Sequence, residues 1–269
     1  MRQALIRTLA LAKLVLIDGL RRHALQGLMA LALGVVLSGL FFFAFVPRDI
    51  GRVLVDFVVT VGWFAGMVFL FFHAVQMMSW GEDRRIIHTL LAHPLSRTEY
   101  VLGLFAGLLS LLVLFNLLLG AIGLGVLALI KSWVGPAYFS YLGLVEYFLA
   151  WLGVMAIEAM MLSAIVVFSG LLRGGFAVLL VTISYYLISN GLPVAIEFIL
   201  DRNILLRRVM IAMTMLFPDF SRFDYKGLVV SPQSIPTMAS LMLNLGYAAL
   251  YCVLLLTMAA GIYNRRDLK

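Results

Sequence analysis

The 269-residue sequence predicts an all-α integral membrane protein with six transmembrane helices, an N-terminal amphipathic interfacial helix and one short helix in a cytoplasmic loop. Three observations carry that prediction. The first is composition: 64% of the residues are hydrophobic and 12% are charged, about half the charged share of an ordinary soluble domain. So few charges cannot cover the surface of a soluble globule of this size. A cytosolic enzyme, a disordered regulator and a nucleic-acid-binding domain are excluded, and in lipid the backbone is satisfied by helices. The second is distribution, because Asp, Glu, Lys and Arg avoid several stretches long enough to cross the hydrocarbon core, which takes about 20 apolar residues. The third is the uneven placement of Lys and Arg between the two sets of loops.

Residues 3–22 form the first element. Leu5, Leu9, Ala12 and Leu16 make an uncharged stripe at helical spacing, and Arg2, Arg7, Lys13, Asp18, Arg21 and Arg22 occupy the rest of the wheel. This pattern predicts a helix lying in the cytoplasmic interface; a ragged extension of the first span is the alternative. Lys13 and Asp18 interrupt the apolar run and no small-residue cleavage site follows, so it does not read as a signal peptide. The spans are expected at about 23–47, 55–79, 100–130, 145–171, 174–194 and 237–263. The third is the longest, about 46 Å at 1.5 Å per residue, and Glu158 alone interrupts the stretch 147–172 of the fourth. No internal repeat is visible, and residues 1–269 read as one membrane domain.

Orientation follows from the short loops. Twelve Lys and Arg fall on one side (Arg2, Arg7, Lys13, Arg21, Arg22, Arg84, Arg85, Arg97, Arg173, Arg265, Arg266 and Lys269). The other side receives eight, but five of these sit in the long loop before the last span, and short loops alone set twelve against three. Both termini are therefore expected in the cytoplasm. The net charge of +7 then reports topology and anionic headgroups, not nucleic acid. The single cysteine, Cys252, lies in an apolar run and reads as a packing residue.

The loop 79–100, SWGEDRRIIHTLLAHPLSRTEY, is the most informative stretch. Ser79 and Glu82 have capping-box spacing and start a helix; Glu82 and Asp83 sit in its first turn, where the dipole favours acids. Ile86, Ile87, Leu90 and Leu91 make one apolar face, and Pro94 ends it. Ser96 and Glu99 form a second capping box that launches the third span. The expected result is a short capped amphipathic helix between two spans, either a simple interfacial connector or a rigid knob for a partner to push.

The acidic pair Glu82–Asp83, the apolar helix with Leu90 and Leu91, then Pro94-Leu95-Ser96-Arg97, Tyr100, Gly103 and Gly107 resemble the permease subunits of type 2 ABC exporters. The resemblance is strongest to the branch associated with multicopper-enzyme maturation, which includes the permease of nitrous oxide reductase assembly. The segment FPDFSRFD at 217–224 is similar to that branch's segment before the last span. Layout matches along the whole chain and motif along about 30 residues. Relatives often carry Gly-Thr where this chain has Ile86 and Ile87, and Lys where it has Leu104. The resemblance implies that 82–93 is a coupling helix docking in a cleft of a separate ATPase. Glu82, Asp83, Arg84, Arg85 and Arg97 would contact or orient that partner, with Ile87 and Leu91 on the apolar face. It implies a working unit of two permeases, as a homodimer, and two ATPases in a bacterial inner membrane, with room for a periplasmic or membrane accessory protein. ATP and Mg²⁺ would be bound by the ATPase, and no cofactor by this chain, which has no phosphate-binding G-x-x-x-x-G-K-[ST].

Polar residues inside spans are the remaining candidates. Glu158 lies near the middle of the fourth span, Asn116 near the middle of the third, and His73 toward the cytoplasmic end of the second. At 100° per residue Glu146 and Glu158 lie about 120° apart and form no paired-carboxylate site. Glu158 reads as a helix-to-helix hydrogen-bonding residue, with a proton relay as the alternative. His73 has no ligand spacing around it, and the methionines, Met77-Met78 and Met160-Met161 included, read as packing. Gly62-x-x-x-Gly66 and Gly103-x-x-x-Gly107 permit close helix approach, within the fold or at a homodimer face. The outer loop at 193–234, with apolar-rich pieces 195–200 and 204–216, is expected to hold short interfacial or re-entrant helices, as a gate or as a passive cover. Two rival readings stay open: an intramembrane hydrolase using a serine with His73 as base, and a structural membrane subunit.

Overall fold

The computed structural model describes residues 2–42, 50–78, 96–135, 139, 143–199, 208–209, 213–214, 216–230 and 236–265. In chain order these form α1 (Arg2–Arg21), α2 (His23–Phe42), α3 (Ile50–Met78), α4 (Arg97–Val134), α5 (Leu144–Leu171), α6 (Gly175–Ile199), a 3₁₀ turn (Phe220–Phe223), α7 (Lys226–Val230) and α8 (Met238–Arg265). No strand occurs among the described residues. Five helices are long and apolar enough to cross a membrane, namely α3, α4, α5, α6 and α8. A sixth span results if α1 and α2, bent by 63° at their junction, count as one. The architecture is that expected of an all-α membrane protein, and the long helices fall where charge-free stretches occur in the sequence.

Helix α5 occupies the centre. Met160, Met161, Leu162, Ser163, Ala164, Ile165, Val166 and Val167 are all buried, so every face of this stretch is covered, as befits a helix that is apolar all round. Trp151 and Glu158 of α5 face Gly62 and Gly66 of α3. Tyr147 donates a hydrogen bond to the Gly120 carbonyl of α4 at 2.8 Å. Gly170 lies against Ile262 and Tyr263 of α8. These pairings make α3, α5 and α8 run in one direction and α4 and α6 in the other. The start of α4, the end of α5 and the end of α8 therefore meet at one end of the bundle.

That end is tied by named contacts. Arg97 donates to the Tyr263 carbonyl at 2.9 Å and the Asn264 carbonyl at 3.2 Å. The Tyr100 and Tyr263 rings are 6.4 Å apart. Helix α4 starts with the capping box expected from the sequence: the Glu99 N–H donates to Ser96 Oγ at 3.2 Å, and the Ser96 N–H donates to Glu99 Oε2 at 2.9 Å. Ser96→Ala is expected to cost about 1 kcal/mol. Hydrogen exchange is expected to quicken at the amides of 97–100 while the middle of α4 stays protected.

Helix α1 forms over the expected residues and is docked on the bundle. It packs lengthwise on α4 in a parallel register: Arg7 pairs with Glu99 at 3.7 Å, Leu11 meets Gly103, Val15 meets Gly107 and Gly19 meets Leu111. This seam runs about 18 Å at 1.5 Å per residue. The buried ridge is Leu11, Ala12 and Val15, whereas Leu5 and Leu9 of the expected stripe are 62% and 57% exposed. The cause is the groove left by Gly103 and Gly107, which admits Leu11 and Val15 and rotates Leu5 and Leu9 away from the bundle.

The fifth span also differs. It continues through Pro193 to Ile199, so 195–199 extends α6 instead of starting an outer helix. Proline removes one intrahelical donor without unwinding the turn when the freed carbonyl is otherwise accommodated. Short helical pieces occur further on, at Phe220–Phe223 and Lys226–Val230. Most of 204–216 lies outside the described residues.

Candidate functional site

The polar candidates inside the spans divide into a pair and a singleton. Asn116 on α4 is 1% exposed and Glu158 on α5 is fully buried. Asn116 Nδ2 donates to Glu158 Oε2 at 2.5 Å and to the Leu112 carbonyl at 3.1 Å. Gly66 makes room for this pair, because a Cβ at that position would overlap the Glu158 carboxylate. Asn116 Oδ1, Glu158 Oε1 and the nearby Trp151 Nε1 are buried without hydrogen-bond partners. Glu158 is thus a helix-to-helix hydrogen-bonding residue, as read from the sequence, while Glu146 sits apart at the first turn of α5.

His73 joins neither member of that pair by a hydrogen bond. It is 6% exposed, its ring lies 5.1 Å from that of Phe69, and its Nε2 has no partner. The turn that carries it, Phe69–Ala74, is π-helical. Such an insertion shifts the register of a helix face by one residue and often accompanies functional sites. Among the described residues no group of three or more His, Cys, Asp or Glu could hold a metal ion.

At the end of the bundle opposite Arg97, the segment before α8 folds back between helices. Asp219 caps the 3₁₀ turn, accepting from the Ser221 N–H at 3.1 Å, and its own N–H donates to Tyr247 Oη at 3.3 Å. Phe220, Phe223 and Tyr225 are buried, and the Phe223 carbonyl lies against Gly153 of α5. Asn244 of α8 donates to Tyr225 Oη at 2.9 Å and to the Arg222 carbonyl at 3.2 Å. Tyr251 donates to the Leu216 carbonyl at 3.0 Å and shares a hydrogen bond with Tyr185 of α6. Lys226 donates to Thr60 Oγ1 at 2.8 Å and pairs with Asp56 at 3.5 Å, both on α3. This anchored plug walls a cleft of about 280 Å³.

Sequence reasoning counted Lys226 as a loop charge and missed both its partners and the cleft. Asp56, an acid just inside the start of a span, was the only signal pointing there. Of the residues assigned to ATPase coupling, Arg97 holds the end of α8, whereas Glu82, Asp83, Arg84, Arg85, Ile87 and Leu91 lie outside the described residues. Fold and polar centre together define a class, a helical multi-pass membrane protein with a buried Asn–Glu pair between its central helices. Compared with known proteins, the chain matches no protein-family model and no curated protein sequence.

Proposed function

We propose that the chain is the transmembrane permease subunit of an ATP-driven ABC exporter, coupled through 82–93 to a separate cytoplasmic ATPase. The observation that supports this reading best is the junction just after that loop. The capping box of Ser96 and Glu99 fixes the first turn of α4, Glu99 pairs with α1 through Arg7, and Arg97 grips the end of α8. A force that arrives at Ser96 therefore reaches three helices at once. On this reading both termini and the loop are cytoplasmic, a second copy completes the pathway, and ATP with Mg²⁺ is handled by the partner.

Two measurements test it. The tagged chain is expected to co-purify with a soluble ATPase of about 25–35 kDa, the size of one or two small domains. Persistent absence of such a partner from solubilised native membranes refutes the reading. Glu82→Ala combined with Asp83→Ala is expected to weaken ATPase binding or its stimulation while membrane insertion stays intact. Full assembly and stimulation in that variant would refute the coupling role of the loop.

A further inference from the structure

The cleft beneath the outer plug is built differently from a packing defect. Its walls are aromatic and aliphatic, with Trp63, Tyr186, Phe220 and Phe223 among them. Tyr186 is stacked on Phe220 at 6.1 Å and lies 6.1 Å from Trp63. At about 280 Å³ it is near the lower end of small-molecule sites. Such sites pair an apolar wall with a few polar groups that select the ligand.

Three of the side chains that line the cleft already donate to the protein. Lys226 is held by Thr60 and neutralised by Asp56. Asn190 Nδ2 donates to the Tyr186 carbonyl at 3.0 Å, and Ser221 Oγ donates to Asp219. Pro193 has no N–H, so the Ser189 carbonyl lacks its ordinary helical donor. A hydroxyl, able to donate or accept, and a carboxylate remain open. Ser189 is 1% exposed, lines the cleft and has no hydrogen-bond partner at Oγ. A buried hydroxyl left so costs free energy unless something else satisfies it. Asp224 also lines the cleft, and its carboxylate makes no ion pair or hydrogen bond among the described residues. With Lys226 already paired, the uncompensated charge is negative, and the electron-rich ring faces around it favour a cation.

We propose that this cleft binds an organic ammonium: a primary or secondary amine carried on an aromatic or aliphatic body, its charge at Asp224 and its apolar part among Trp63, Tyr186 and Phe220. The site lies within one copy of the chain and does not depend on the ATPase reading. The same chemistry could arrive as a free amine or as the ethanolamine headgroup of a lipid.

The test is equilibrium binding of radiolabelled 2-phenylethylammonium to the purified full chain in phosphatidylcholine nanodiscs. Saturable binding of one equivalent per chain is expected, with 3-phenylpropanoate unable to compete. Asp224→Asn, which alters an exposed side chain and no internal contact, is expected to weaken binding about tenfold, the worth of one charge-assisted hydrogen bond. Asp56→Asn, outside the cleft wall, should weaken it about threefold by releasing the Lys226 charge. Loss of the free amine's binding in discs containing phosphatidylethanolamine assigns the site to the lipid headgroup, and unchanged binding assigns it to a free amine. Equal affinity for amine and carboxylate, or an Asp224→Asn variant that binds as the parent does, overturns the proposal.

Discussion

Gly66→Leu is expected to be strongly destabilising. Even the first added carbon would overlap the Glu158 carboxylate. Either α3 moves away from α5 or Glu158 abandons Asn116. The first route opens the seam that also holds Trp151 against Gly62. The second leaves a fully buried acid facing hydrocarbon. Overpacking costs about 1–3 kcal/mol, and losing an interhelical polar contact in a membrane adds about 1 kcal/mol. The midpoint of thermal unfolding in detergent should fall by many degrees. Gly125→Ala is the control, because nothing lies within 4 Å of a Cβ there, and it is expected to leave the midpoint unchanged or slightly raised. A Gly66→Leu chain as stable as the parent would mean that Glu158 does not sit against α3.

The same site shows what a sequence makes visible in a membrane protein. Glu158 and Asn116 stand out because polar residues are rare in spans, yet their partnership joins positions 42 residues apart, and no local pattern encodes it. The glycine pairs announce close approach but not the partner: Gly62 and Gly66 turned out to face α5, and Gly103 and Gly107 to face α1. Local chemistry was readable where it is self-contained, as in the Ser96–Glu99 box. The π-helical turn in FLFFHA had no signal at all, since it contains neither Pro nor Gly. Helix α6 runs past the expected end of its span at 194 to Ile199. The outer plug reads as loop because Phe220, Phe223 and Tyr225 are separated by polar residues without helical or strand period. Only the neighbouring helices reveal that they are anchors. Apolar periodicity is also a weak guide to facing in lipid, where exposed and buried faces are equally apolar. Leu5 and Leu9 share a stripe with Ala12 in the sequence, yet only Ala12 is buried against the bundle.

The placement of α1 has the clearest experimental consequence. A helix lying across the end of a bundle touches a given neighbour at one crossing, whereas α1 and α4 stay in register from Arg7–Glu99 to Gly19–Leu111. In a Cys252→Ser background, the pairs Arg7→Cys with Glu99→Cys and Gly19→Cys with Leu111→Cys are both expected to cross-link rapidly with a short reagent. The second pair replaces the leucine that would otherwise crowd position 19. Cross-linking at only one of the two sites would return α1 to a transverse position. Gly107→Leu supplies the complementary perturbation. Its Cβ alone would come within 2.6 Å of Val15 Cβ and 2.8 Å of the Ala12 carbonyl oxygen, and the backbone contact cannot be relieved by a rotamer change. Both cross-links are therefore expected to be lost in that variant while the Arg97 contact to α8 persists. If the proposed coupling is right, ATPase binding then survives but its stimulation falls, because the loop still docks and only the helix that shares its load with α4 has been detached.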